Sequence, residues 1–346
     1  MPSREREKIR YPAAMRPWIE TAFFVQRCDL AQSAEALALA AKAWPEAERT
    51  AYYQSVQQAV DSGRAESVVL LSGCRDGQVI AAQIGQVLPG RAAVVWPPQF
   101  AETCEAIRRG VTAASLGREM ATALKRGGAK VAQALVVADD PESASWLAVG
   151  GLSYAADLLY LCADVDAEFS GNSKHPHPGP LPEGEGGEKG EALPFELAAF
   201  RPDDTQRLVD VIQRTYEGTL DCPKIDGLRE TADVIVGYQA VGVYRPDLWF
   251  FVREENRDVG CLLINVHPDV RHAEIVYLAV VPEVRGRGWG LRLALQAIEV
   301  ARASRCERAV LAVDAANLPA LALYRAAGFQ TFDTRGIWLR TFHDVS

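Results

Sequence analysis

Apolar residues in the second half of the chain fall into a fixed succession of periods. Leu208, Val211, Ile212 and Tyr216 recur at helical spacing and predict a helix over 203–217; residues 228–238 carry a weaker pattern of the same kind. The apolar runs LWFFVR (248–253) and VGCLLINV (259–266) are separated by the turn sequence EENRD and predict a hairpin. AEIVYLAVV (273–281) predicts a third strand and residues 290–304 a helix. RAVLAVD (308–314) predicts a further strand, and 318–327 a short helix closed by Gly328 at its C-terminal end. Two short strands are expected around 333–336. The order ααβββαβαββ predicts an α+β fold, a three-layer αβα sandwich with a mixed central sheet.

The first half echoes this order. A hairpin over 68–71 and 79–87 turns at CRDG, residues 92–96 form a third strand, 113–126 a helix and 132–137 a strand. Residues 139–161 then resemble 314–339. Setting Gly151 against Gly328 places Asp140 opposite Asn317 and Leu147 opposite Tyr324. Between the halves lies a stretch rich in Gly, Pro and Glu, too poor in apolar residues to offset its ordering entropy. It predicts a flexible linker at 166–194 between domains at 1–165 and 195–346. His175 and His177 inside it read as solvated linker residues rather than a metal pair.

Composition narrows the classes further. The 346 residues suit two domains, and no apolar run reaches the roughly 20 residues that span a bilayer. The charged start lacks a following apolar segment, so no secretory signal is expected, and the expected location is cytoplasmic. A formal charge of −8 does not favour nucleic acid or an anionic membrane as partner. The seven cysteines form no CxxC pair, which fits free buried thiols and no metal site.

Chemistry concentrates at 280–293, VVPEVRGRGWGLRL. A strand ends at a proline, and Arg285-Gly286-Arg287-Gly288-Trp289-Gly290 opens a helix. Glycines there allow successive backbone N–H groups to point outward beside a helix N-terminus, a nest for phosphate, with Arg285, Arg287 and Arg292 adding positive charge. The dinucleotide pattern GxGxxG fails, since the third glycine comes one residue early, and no GK[ST] is present.

The segment resembles the (Q/R)xxGx(G/A) pyrophosphate loop of the GCN5-related N-acetyltransferases (GNAT). NLPALALYRAAGF (317–329) resembles that family's last cofactor-side helix. The resemblance covers nearly all of the second half and implies acetyl-CoA, or another acyl-CoA, as cosubstrate. It further implies that Leu278, Ala279 and Val280 splay from the next strand and hold the pantetheine arm. Gly286, Arg287, Gly288, Trp289, Gly290 and Leu291, with Arg285, would cradle the pyrophosphate, and Asn317 would hold the pantetheine region. Tyr324 would protonate the departing thiolate. Glu274 resembles the strand glutamate of the histone acetyltransferase branch and is the leading candidate base, with Asp314 or a water relay as alternatives.

The first half has no such loop and carries Leu147 at the tyrosine position, so it is expected to be a degenerate GNAT-like domain that does not bind CoA. The tandem arrangement resembles two-domain members of the family. The implied partner is a small-molecule or peptide amine, with the protein a monomer or homodimer. An acyl-CoA sensor without catalysis and a tandem scaffold are the rival readings. Cys222 reads as a packed or pocket-lining thiol, Asp221 and Asp226 as acids able to attract an ammonium or as solvated loop residues, His267 and His272 as exposed turn residues, and Arg302, Arg305 and Arg308 as a solvated helix end.

Overall fold

The computed structural model describes residues 23–166 and 193–342. The expected linker, with His175 and His177, falls almost wholly outside the described residues. From the N-terminus the elements are β1 (Phe24–Arg27), α1 (Ala34–Ala40), α2 (Arg49–Asp61), β2 (Val68–Arg75), β3 (Gln78–Leu88), β4 (Ala92–Val95), β5 (Gln99–Phe100), α3 (Ala106–Arg126), β6 (Val131–Val137), α4 (Pro141–Val149) and β7 (Ser153–Asp164). The second half continues with β8 (Glu196–Ala199), α5 (Thr205–Tyr216), α6 (Thr231–Gln239), β9 (Trp249–Glu254), β10 (Arg257–His267), β11 (His272–Val280), α7 (Trp289–Ala303), β12 (Arg308–Asp314), α8 (Leu318–Ala326) and β13 (Gln330–Thr341).

The chain folds into two compact units. Of the described residues, one unit comprises 23–87, 93–128 and 142–152; the other comprises 88–92, 129–141, 153–166 and 193–342. In the first unit the strand order is β1-β2-β3-β4, with β5 on β3. The β2–β3 hairpin turns at Asp76 and Gly77, both at positive φ, so β2 runs on to Arg75 instead of ending at 71. Helix α3 starts at Ala106, a full two turns before the expected 113. Gly117 of α3 is there for close approach, since a Cβ would lie 2.3 Å from the Gly150 carbonyl oxygen.

In the second unit the strand order is β6-β13-β7-β12-β11-β10-β9-β8. Strand β10 is buried on both faces, so it reads as a continuous apolar run instead of alternating. Cys261 and Leu263 meet Leu208, Val211 and Ile212 of α5 and Ile235 of α6. Leu262 and Ile264 meet the opposite core, to which α7 adds Leu293, Ala294 and Ala297 and α8 adds Leu321. Burying each large aliphatic chain in these layers contributes about 1.5–3 kcal/mol. Asn265, fully buried on β10, accepts from Trp249 Nε1 (3.0 Å) and donates to the carbonyls of Tyr238 (2.6 Å) and Val241 (2.8 Å), which pins the end of α6 to the sheet.

Strands β7 and β13 are exchanged between the halves of the chain. β7, from the first half, pairs antiparallel with β12 of the second over seven residue pairs, Arg308↔Asp164 to Asp314↔Leu158. β13, from the second half, pairs antiparallel with β6 of the first, also over seven pairs, Arg335↔Val137 to Thr341↔Val131. β7 and β13 then pair with each other. The two short strands expected around 333–336 are therefore one long strand, and register shifts at Thr331/Asp333 and Ile337/Trp338 absorb its bend.

Candidate active site

Strands β11 and β12 run parallel but pair only at His272↔Arg308, Ala273↔Ala309 and Glu274↔Val310. Beyond Glu274 the two diverge, and β11 from Ile275 to Val280 has no ladder on its β12 side. A bulge sets this up. On β10, Leu263 pairs with Tyr277 and Ile264 with Ile275, so Val276 is the extra residue. It changes which side chains face which layer. Ala273 and Ile275 point into the α7–α8 core, Val276 and Tyr277 both point to the α5–α6 side, and Leu278 returns to the α7–α8 core. Leu278, Ala279 and Val280 thus sit half-buried on the open edge.

The loop after β11 has the backbone that its glycines permit. Gly286 and Gly288 stand at φ 76° and 77°, Gly288 as the N-terminal cap of α7, and a Cβ at either would meet nothing within 4 Å. The space beside them is open, and the first-turn N–H groups of Trp289, Gly290 and Leu291 have no carbonyl within the helix to receive them. Gly290 has a different reason to be glycine: a Cβ there would lie 2.8 Å from Leu323 Cδ2, so it lets α8 close on α7. Trp289 points inward onto Phe195, ring centroids 5.3 Å apart. Arg285 is committed to the fold. Its guanidinium donates to the carbonyls of Val280 (3.3 Å), Gly218 (3.1 Å) and Thr215 (2.8 Å), tying the end of β11 to the end of α5. Arg287 is half-exposed and pairs with Glu254 at 2.8 Å. Asn317 caps α8, its Oδ1 accepting from Ala320 N–H at 3.3 Å.

Tyr324, on α8, is buried at 7 % exposure with its ring against Phe329. Burial, helped by the negative charge of Asp221, raises its pKa and keeps the phenol protonated. Glu274, at the closed end of the cleft, is half-buried and 2.7 Å from His267 Nε2. His267 and His272 face each other across the β10–β11 ladder and are partly buried, not free turn residues. The hydrogen bond and charge of Glu274 raise the pKa of His267. No group of three or more potential ligands for a metal ion occurs among the described residues.

The loop after α5 closes on the open end of β12. The buried Asp314 accepts from Cys222 N–H (3.1 Å) on one oxygen and from Ala316 N–H (2.8 Å) on the other. Its own N–H donates to Asp221 Oδ1 at 3.0 Å. Asp221 as a whole is exposed, but its carboxyl end is crowded by protein, and that desolvation together with the charge of Asp314 raises its pKa. Cys222 takes a left-handed φ of 44°, unusual for a residue with a side chain. Burial and the two aspartates push its thiol up to about 12, which keeps it neutral. The sequence offers Asp221 as an ammonium attractor or a solvated loop residue; its tie to β12 depends on tertiary contacts that spacing does not show. A separate cavity of about 440 Å³ lies where α5 ends and α6 begins, lined by Tyr216, Asp226, Arg229 and others, and none of residues 285–291 borders it. Arg302 and Arg308 are held by acids, Arg302 by Glu299 and Arg308 by Asp164 at 3.0 Å.

A parallel strand pair that splays at a bulge, followed by a glycine loop opening a helix, is the arrangement expected of a GNAT fold. Residues 212–329 match the model of the acetyltransferase (GNAT) family. A mycothiol acetyltransferase from Saccharomonospora viridis is 28 % identical over 207 residues, covering 57 % of this chain and 60 % of the relative. A second, from Streptomyces bingchenggensis, is 32 % identical over 91 residues, 26 % of this chain and 30 % of the relative. The aligned regions thus span less than two thirds of either relative. Among solved structures, a GCN5-related N-acetyltransferase from Sphaerobacter thermophilus superposes with a TM-score of 0.56 at 16 % identity, covering 92 % of this chain and 95 % of that one. A tandem GNAT protein from the clavulanic acid biosynthesis pathway gives 0.50 at 13 % identity, covering 92 % and 98 %. The expected α+β fold and tandem GNAT arrangement are borne out.

Proposed function

We propose that the protein is an N-acetyltransferase that moves an acetyl group from acetyl-CoA to a primary amine. One observation carries this reading: the ladder between β11 and β12 ends at Glu274/Val310, and the opened edge leads straight into the Gly286–Gly288 nest. The residues present fit the cosubstrate. The open β11 edge at Leu278, Ala279 and Val280 can pair with the amides of a pantetheine arm as an added strand would. The free N–H groups at the start of α7 suit a pyrophosphate. Asn317 has Nδ2 to offer, its Oδ1 being engaged in the cap. Bound acetyl-CoA would supply an activated thioester.

The acceptor amine, once neutral, attacks the thioester carbonyl directly, so no acyl-enzyme is required. Glu274 takes the amine's proton, directly or through water; the oxygen not held by His267 is the available one. Asp314, the alternative base, has both oxygens committed to backbone donors, which argues against it. Tyr324 donates to the sulfur as it departs. Its burial penalises a lasting phenolate, so it suits a proton shared with the leaving sulfur and quickly recovered. The first half lacks the glycine nest and has Leu147 in place of the tyrosine, and we assign it no CoA site.

Calorimetric titration of acetyl-CoA into the wild type and Gly288→Glu tests the reading. The expected result is one site per chain, lost in the variant. Two sites per chain would overturn the assignment of the first half, and no binding would overturn the transferase. Binding without acetylation of any amine in a broad screen would favour the sensor.

A further inference from the structure

The strand end that carries Asp314 fixes where Asp221 sits. Ala315 N–H donates to the Asp157 carbonyl of β7 at 2.8 Å, on the paired edge of β12. Successive N–H groups of an extended strand point to opposite edges. The N–H of Asp314 therefore points to the other edge, the one facing β11, where the ladder has already ended. Asp221 Oδ1 accepts that N–H, so its carboxylate lies on the cleft side of β12 at the open mouth of the splay. Burial raises the pKa of both Tyr324 on α8 and Tyr277 on β11, the residue just past the bulge, and the Asp221 charge adds to the rise in each.

The placement is held from behind. Asp314, 4 % exposed, accepts from the Cys222 N–H and so keeps the residue next to Asp221 in its left-handed conformation. Backbone strain of this kind persists only where the surroundings over-determine it. The second oxygen of Asp221 has no donor among the described residues. A carboxylate with one oxygen anchored to backbone and the other unclaimed beside the candidate proton donor is built to take a charged donor from outside.

We infer that Asp221 receives the ammonium form of the acceptor at the mouth of the β11–β12 cleft, which makes the acceptor class cationic amines that arrive protonated. The inference rests on the N-acetyltransferase reading of the same cleft. Asp221 orients the nitrogen; it does not replace the base that later takes the proton.

The test needs no knowledge of the natural acceptor. S-(2-aminoethyl)-CoA carries an ammonium on the sulfur side of the cleft, and S-ethyl-CoA is its uncharged counterpart. Titration calorimetry on the full chain should show the aminoethyl thioether binding about tenfold more tightly, the scale of one charge-assisted hydrogen bond. In Asp221→Asn the preference should fall to within about twofold, with S-ethyl-CoA and acetyl-CoA affinities unchanged. Asparagine keeps an oxygen for the Asp314 N–H, so the loop should stay in place. A preference that survives in Asp221→Asn, or a wild type that shows none while binding acetyl-CoA, would overturn the inference. A wild type that fails to bind acetyl-CoA would overturn the cleft assignment beneath it.

Discussion

The chain contains the same step twice, a strand followed by a helix, and the two copies differ in the backbone that joins them. In the second half, β11 leads through Gly286 and Gly288, both at positive φ, into α7, and the space beside them is open. In the first half, β4 leads through Pro97, Pro98 and the short β5 into α3, whose cap is Glu105 at φ −55°. A carboxylate, paired with Arg108 at 2.6 Å, stands there where the second half leaves free N–H groups. The helix after the next strand differs in the same sense. Leu147 of α4 is buried at 1 % exposure, whereas Tyr324 of α8 is buried with a hydroxyl. Two copies of one fold can thus keep their packing while the strand-to-helix backbone and the buried helix residue diverge.

Several substitutions would break or sharpen that contrast. Tyr324→Phe should lower acetyl transfer by on the order of 10²–10⁴, followed as release of CoA thiol, while acetyl-CoA affinity stays within about twofold. Gly288→Glu should weaken acetyl-CoA at least about 100-fold, because a side chain is strained at φ 77° and a carboxylate repels the anion at the helix start. Glu105→Gly in the first half should leave the calorimetric stoichiometry at one.

The glycines that serve packing should rank by what they meet. Gly117→Ala drives a Cβ into the Gly150 backbone at 2.3 Å and should cost about 2–3 kcal/mol in urea denaturation. Gly290→Ala meets only the tip of Leu323 at 2.8 Å and should cost about 1 kcal/mol. The smallest effect belongs to the His267–Glu274 pair. The pKa of His267 is raised, so its contribution to stability is complete below the unfolded value of 6.5 and is lost as pH rises through the higher folded value. Because both groups are about a third exposed, that contribution is about 0.5 kcal/mol. Glu274→Gln should lower the His267 titration midpoint, read by NMR.

Much of the second half was legible because each element carries its own period and punctuation. The 308–314 strand and the helix begun at 318 fall where apolar spacing, Asn317 and Gly328 place them. The glycine loop was legible because positive φ selects glycine. Other features depend on contacts between distant segments. Nothing local distinguishes Arg285 reaching back to Thr215 and Gly218 from an arginine facing phosphate. The pairing of His267 with Glu274 requires the β10–β11 register, and the bulge at Val276 leaves no mark in an apolar run. The exchange of β7 and β13 was invisible for a related reason: a strand's sequence states its two faces but not which neighbour will take its edges.

That exchange sets a timetable for synthesis. The β6 edge, made early, finds its partner only when the ribosome has delivered β13, after almost all of the second half. Until then the edge offers unpaired N–H and C=O groups to any passing strand, including one from a neighbouring nascent chain. β12, by contrast, emerges to find β7 already waiting. The first half is therefore the copy that must be guarded during translation, although the chemistry is assigned to the second.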